Sequence, residues 1–121
     1  MGELYTYLPP KYAANKRVCN VPPLSECNPT YGASVGRGSF DFKIGEWNQI
    51  SERVRLNDVG KANGEVELFA NGKSMFSVTG LVLRDNADGK FRGMQMQSFF
   101  GGAFYLFWIH CVARSIFHRS H

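Results

Sequence analysis

The chain has 121 residues, 44% of them hydrophobic and 20% charged, which makes it one domain or part of one and excludes both a second core and extended disorder. Its 13 glycines and 5 prolines favour turns and sheet over helix. The formal charge of +4 is no nucleic-acid signature, because all 10 acids and all but Arg114 and Arg119 of the 14 basic residues lie in residues 1–102, with no Lys/Arg cluster interleaved with aromatics.

Residues 3–8, ELYTYL, alternate so that Leu4, Thr6 and Leu8 face one way and Tyr5 and Tyr7 the other. Two phenols on one sheet face can donate, accept and stack, as a catalytic or sugar-binding pair does, but spacing alone favours simple packing across a sheet. Pro9-Pro10 ends this strand, since proline cannot donate to a ladder. Residues 11–36 hold three more prolines with several Asn, Ser and Gly, and read as a long surface loop. Cys19 and Cys27 bracket its VCNVPPLSEC segment, where a disulfide is sterically easy, and Cys111 is left over. A closed loop suits a secreted protein, while two free thiols in a cytosolic chain fit nearly as well. The N-terminal MGELYTYLPP has neither the basic n-region nor the apolar h-region of a signal peptide.

From Gly38 the pattern predicts strand again in SFDFK, a turn at Ile44-Gly45-Glu46, and a strand in WNQISERVRLN. There Ile50, Val54 and Leu56 alternate with Gln49, Ser51, Arg53 and Arg55, giving a half-buried strand with a basic outer face. Asp58 to Asn63 is a polar connection. Gly64 to Gly80, GEVELFANGKSMFSVTG, carries the strongest local signal in the chain: two Val-, Phe- and Leu-rich runs joined by Asn71-Gly72, the pair that tolerates the positive φ of a type I′ hairpin. In its first run Val66, Leu68 and Ala70 share one face and Glu65, Glu67 and Phe69 the other. Leu81 to Arg84 reads as a further short strand closed by the turn-former cluster DNADG, and residues 91–100 alternate Met94, Met96 and Ser98 against Gln95, Gln97 and Phe99. Strands at this spacing predict an all-β antiparallel sandwich or jelly roll.

After Gly101-Gly102 the text changes. AFYLFWIHCVARSIFHRSH has all three histidines and no acids, lacks period two, and has an apolar part shorter than the roughly 18 residues of a membrane-spanning helix. It reads as an aberrant apolar tail, residues 103–121, unrelated to the sandwich of residues 1–102. Its His110, Cys111, His118 and His121 match no zinc spacing. Gly36-Arg37-Gly38 lacks the Lys-Ser/Thr of a P-loop and the third glycine of a dinucleotide fingerprint. Arg53 and Arg55, with Lys43 and Lys73 nearby, can form a strip for a polyanion, and the amides of Gln95 and Gln97 suit hydroxyl-rich ligands; ordinary exposed strand faces carry such residues too.

In order along the chain, GELYTYLPP, CNVPPLSECNPTYG, RGSFDFKIGEWNQISERVRLND, GKANGEVELFANGK, GLVLRD and RGMQMQSFFGG closely resemble the fungal branch of polysaccharide lyase family 14 over residues 2–102. The resemblance implies a β-jelly roll that cleaves polyuronates such as alginate or glucuronan by β-elimination in an open groove. In the family a Tyr-x-Tyr pair shares the proton transfers with a Lys in a Gly-Lys-Leu-Pro-Gly segment and an upstream Ser-x-Arg, and Tyr5 and Tyr7 match that pair. It implies Tyr5 and Tyr7 as catalytic, and the candidate substrate-binding residues read from the strand faces are Arg53, Arg55, Gln95 and Gln97. The implied partner is an acidic polysaccharide, met by an extracellular monomer without cofactor, metal, nucleic acid or membrane. The chain begins after the positions where the lysine and Ser-x-Arg fall, so the reading is a partial and inactive lyase. The alternative is a non-catalytic carbohydrate-binding β-sandwich.

Overall fold

The computed structural model describes the backbone of residues 1–101 and 108–117 and the side chains of residues 1–96. They fall into two compact units, Met1–Asp85 and Asn86–His121. Almost all regular structure in both is antiparallel strand.

In the first unit the Asn-Gly signal does what its chemistry requires. β5 (Gly64–Ala70) and β6 (Lys73–Leu81) pair antiparallel across Asn71 and Gly72, whose φ angles of 50° and 78° are the two positive values of a type I′ turn. β4 (Ile50–Arg55) adds to the other edge of β5, from Ile50 opposite Ala70 to Arg55 opposite Glu65. Asn71 also fixes that register: its amide N–H donates to Gln49 O at 2.7 Å, and its side-chain Oδ1 accepts from Gln49 N at 2.9 Å. Val66, Leu68 and Ala70 are buried and Glu65, Glu67 and Phe69 half-buried, the alternation expected of a sheet with one packed face.

A second sheet is built from β1 (Leu4–Thr6), β2 (Leu24–Asn28) and β3 (Gly32–Arg37), with β3 in the middle. The long surface loop expected over residues 11–36 is therefore corrected to a 3₁₀ helix, Ala13–Asn20, followed by a hairpin. The prolines and asparagines there punctuate elements instead of forming one loop. Asn28 Oδ1 accepts from the backbone N–H of Thr30 and Tyr31 at 2.8 and 3.1 Å, an Asx turn that reverses the chain at Pro29. β3, GASVGR, is hard to read as a strand because its side chains are small, yet Ala33, Ser34 and Val35 are all buried. Cys19 and Cys27 are joined, tying the 3₁₀ helix to β2.

The two sheets share one core. Val18 and Val21 from the helix region, Ala33 and Val35 from β3, and Val66, Val78, Leu81 and Leu83 from the β5–β6 region form a single cluster, flanked by Leu4, Leu8, Val54, Leu56 and Phe76. Gly36 sets the approach of sheet to sheet: its φ is +63°, and a Cβ there would lie 2.6 Å from the Phe76 ring. Burying a Val or Leu side chain is worth about 1.5–3 kcal/mol, so this cluster supplies most of the gross stabilisation of the unit.

Two further expectations are corrected in this unit. SFDFK is not a strand; it opens a loop in which Phe40 and Phe42 meet edge to face at 5.3 Å and Gly2 N–H donates to Phe40 O at 2.8 Å. The turn at Ile44-Gly45 is present as expected. Leu81 to Arg84 is no separate strand, because β6 ends at Leu81 and two buried asparagines take over its ladder. Asn15 accepts from Val82 N–H at 2.8 Å and donates to Val82 O at 2.9 Å. Asn57 accepts from Leu83 and Arg84 N–H at 2.8 and 3.0 Å. Buried backbone groups must find partners, and here side-chain amides stand in for a strand.

In the second unit β7 (Phe91–Gly101) pairs antiparallel with β8 (Trp108–Phe117), from Gly101 opposite Trp108 to Phe91 opposite Phe117. Much of the segment expected to be an aberrant tail is thus strand. Lacking period two, it gave no alternation signal, although its Trp, Ile, Val and Phe are strong strand formers. His118 and His121 lie outside the described residues, as do the side chains of His110 and Cys111.

Candidate functional site

β1 alternates Leu4, packed on the core, with Tyr5, and the chain continues the pattern through Leu8 and Tyr7. The result is two phenols on the outer face of the β1–β3–β2 sheet, Tyr5 45% and Tyr7 67% exposed. Their rings meet edge to face with centroids 5.2 Å apart and planes at 61°. Gly32 on β3 makes room for them. A Cβ at Gly32 would lie 2.6 Å from Thr6 O, 2.9 Å from Tyr5 Cε1 and 3.2 Å from Tyr7 Cδ1, and its φ of +147° is one that side-chain-bearing residues rarely adopt.

The antiparallel register sets what lies beside the rings. Tyr5 is opposite Ser34 on β3, and Ser34 is opposite Glu26 on β2, so these side chains share one face. The buried Ser34 hydroxyl donates to Glu3 Oε2, and Arg37 Nε donates to the same oxygen at 2.7 Å. The hydrogen bond and charge of Glu3, with a smaller contribution from Glu26, hold the Arg37 guanidinium above its usual pKa. No partner for the Arg37 η nitrogens occurs among the described residues, so one edge of the guanidinium is open to a ligand. Two phenols, a buttressed guanidinium and a carboxylate thus line up along β1. These groups can hold a hydroxyl-rich ring by stacking and hydrogen bonds and can engage one carboxylate.

Glu3, Ser34 and Arg37 are missing from the residues singled out by sequence. The signal for Glu3 was its position two before Tyr5 on an alternating strand, while Ser34 and Arg37 become neighbours only once β3 is seen to pair with β1.

Arg53 and Arg55 stand on the outer face of the other sheet, alternating with the core residue Val54. The shared core separates them from Tyr5 and Tyr7, so the two pairs do not share a face. Both arginines are engaged: Arg53 Nη1 reaches Glu65 at 3.0 Å and its Nε reaches Glu67 at 3.2 Å, while Arg55 Nη1 lies 3.5 Å from Glu65. Ser74 also donates to Glu67 at 2.8 Å. The expected basic strip is therefore charge-balanced by its neighbour strand, and a polyanion binding there has to displace these carboxylates. Gln95 is exposed on β7 in the second unit, and the Gln97 side chain lies outside the described residues. Among the described residues no group of three or more His, Cys, Asp or Glu is placed to hold a metal ion, and no helix is long and apolar enough to cross a membrane.

The first unit is thus a two-sheet antiparallel β structure that displays a tyrosine pair and a buttressed arginine on one outer face. The chain belongs to the polysaccharide lyase 14 family, whose match runs over residues 1–115 and so extends into β8. No curated protein and no solved structure matches it.

Proposed function

We propose that this chain is a partial polysaccharide lyase domain of jelly-roll type, from the fungal branch of its family, that recognises polyuronates such as alginate or glucuronan. The observation that carries the reading is the outward Tyr5–Tyr7 pair, seated over Gly32 with Arg37 on the same face. β-Elimination on a uronate removes the C5 proton, breaks the C4–O bond, forms a C4=C5 double bond and delivers a proton to the departing sugar oxygen. The C5 proton becomes acidic only when the uronate carboxylate is neutralised, so a cation or strong donor must hold that group while a phenol moves protons. Tyr5 and Tyr7 are the phenols in this arrangement, and Arg37, held by Glu3 two residues before Tyr5, is the cation on their strand face.

The same geometry supports weak or absent turnover by the isolated 121-residue polypeptide. The Arg37 charge is already engaged by Glu3, and nothing in the sequence corresponds to the family's Gly-Lys-Leu-Pro-Gly segment. Groups that act as a unit in catalysis forfeit most of the rate when one is missing. That balance favours, as second reading, a carbohydrate-binding β-sandwich that does not cleave. The Cys19–Cys27 bond supports an oxidising, extracellular setting. Incubation with alginate and with polyglucuronate, followed by ultraviolet absorbance of the conjugated product and by calorimetric binding, separates these readings. Binding without product is the expected result. Robust turnover refutes the inactivity, and the lack of any binding refutes the substrate.

A further inference from the structure

Away from the tyrosine face, a cleft of about 230 Å³ opens between the start of the 3₁₀ helix and the Asp58–Asn63 turn. Its apolar lining comes from Ala13, Ala14, Ala62 and the buried Val82, and its polar walls are Tyr12, Lys61 and Arg84. Each wall is fixed by a separate device. The Tyr12 hydroxyl donates to Asp85 Oδ1 at 2.6 Å, and Lys11 Nζ, 5.1 Å from the Tyr12 ring centroid, donates to Asp85 Oδ2 at 3.1 Å. Arg84 Nε donates to Asn57 O at 2.8 Å, and Asn57 Oδ1 takes the Arg84 N–H, which fixes this arginine at both backbone and side chain.

Lys61 rides on a closed turn. Its backbone N–H donates to Asp58 O at 2.9 Å, Asn63 bonds Asp58 at both backbone and carboxylate, and Gly60 supplies a φ of +82°. The Lys61 ammonium has no ion pair or hydrogen-bond partner among the described residues, unlike Lys11 with Asp85 and Lys43 with Glu46. Asp58 titrates below its usual range chiefly through the Asn63 hydrogen bond, with Lys61, Arg55 and Arg84 adding to the effect, so the field of these cations reaches the turn. Aspartates 58 and 85 are each held by neighbours, which leaves the cleft with a surplus of positive charge at Lys61.

We infer that this cleft is a subsite for one carboxylated sugar residue, with the ring face on Tyr12 and the carboxylate on Lys61 in the field of Arg84. The volume suits a single sugar ring more than a drug-sized ligand, whose pockets run to about 300–1,000 Å³. Tyr12 follows Tyr7 by five residues, at most roughly 17 Å of extended chain, which is within the span of an oligosaccharide. This inference rests on the polyuronate reading and deepens it by naming where a second uronate is held.

The test is calorimetric titration of the full chain with a short oligoglucuronate and with its carboxyl-reduced, neutral counterpart. Wild type, Lys61→Ala, Lys61→Gln and, as control, Lys16→Ala on the exposed side of the 3₁₀ helix are compared. Loss of one charge-assisted hydrogen bond at a part-open site predicts about a tenfold weaker affinity for both Lys61 variants, no change for Lys16→Ala, and no effect of Lys61 on the neutral sugar. Equal affinities of the Lys61 variants and wild type overturn the subsite while leaving the polyuronate reading intact. Failure of the wild type to bind the acidic oligosaccharide overturns both. A Lys61 effect of the same size on the neutral sugar overturns the carboxylate assignment.

Discussion

Asn57 has no exposed surface, and replacing it tests how the end of β6 is held. Its Oδ1 accepts from the N–H groups of Leu83 and Arg84 at 2.8 and 3.0 Å, and its Nδ2 donates to the carbonyls of Asp58 and Arg84 at 3.0 and 3.2 Å. Asn57→Ala removes all four bonds and leaves the buried Leu83 N–H without an acceptor. An orphaned buried donor costs about 1–3 kcal/mol, so Leu83 and the less buried Arg84 together put the loss at roughly 2–4 kcal/mol. That is a large share of the roughly 5–15 kcal/mol that holds a domain folded. Urea unfolding followed by circular dichroism reads the effect as a lower midpoint at unchanged slope. Asn57→Asp refines the test, since it keeps the acceptor but turns a carboxylate toward two carbonyl oxygens. Its new carboxyl is protonated more readily in the folded state than in the unfolded chain, so the variant regains stability as pH falls and loses it as pH rises through that window. A loss below about 0.5 kcal/mol for Asn57→Ala, or an Asn57→Asp variant indifferent to pH, refutes the claim that this amide replaces a strand.

Glu52 occupies an inner-face position of the edge strand β4, opposite Leu68, and partial desolvation on that side raises its carboxyl above the usual range although the residue as a whole is exposed. A raised acid binds its proton more tightly in the folded state, so stability falls as pH rises from the ordinary carboxylate range through the folded pKa; Glu52→Gln is expected to flatten that fall in melts across pH 4–7. Cys19 and Cys27 are 8 residues apart, and for so short a loop the chain-entropy estimate is about 2–3 kcal/mol, the loss expected for Cys19→Ala/Cys27→Ala in denaturant titrations. Gly32→Val forces a side chain into Tyr5, Tyr7 and the Thr6 carbonyl at an unfavourable φ, and is expected to abolish the near contact of the two rings, visible as altered tyrosine near-ultraviolet dichroism, together with oligoglucuronate binding.

The β5–β6 hairpin was legible because its signal is local: Asn71 and Gly72 tolerate positive φ, and each flanking residue reports its own face. That Tyr5 and Tyr7 share the face opposite Leu4 and Leu8 was legible for the same reason, whereas their outward exposure follows only from where the core lies. The β2–β3 hairpin was not, because Gly, Ala and Ser in β3 carry little strand propensity, and Ala33 is buried only through the cluster it forms with Val18, Val21 and the opposite sheet. Asn15 read as a loop residue and Asn57 as the end of a strand, since an amide that completes a distant backbone is recognisable only when Val82 to Arg84 is placed beside it. Arg53 and Arg55 read as a basic strip because the sequence shows their spacing but hides the facing Glu65 and Glu67. The Glu3–Ser34–Arg37 group stayed hidden because it joins residues more than thirty positions apart.

The most direct test of the account is a heteronuclear NMR titration of the labelled chain with oligoglucuronate, read residue by residue. The account expects the largest shifts at Tyr5, Tyr7, Ser34 and the Arg37 side chain, with affinity reduced at least about tenfold in Tyr5→Ala and Tyr7→Ala. Shifts confined to Arg53, Arg55 and their glutamate partners, with the tyrosine resonances unmoved and both alanine variants binding as wild type does, contradict it.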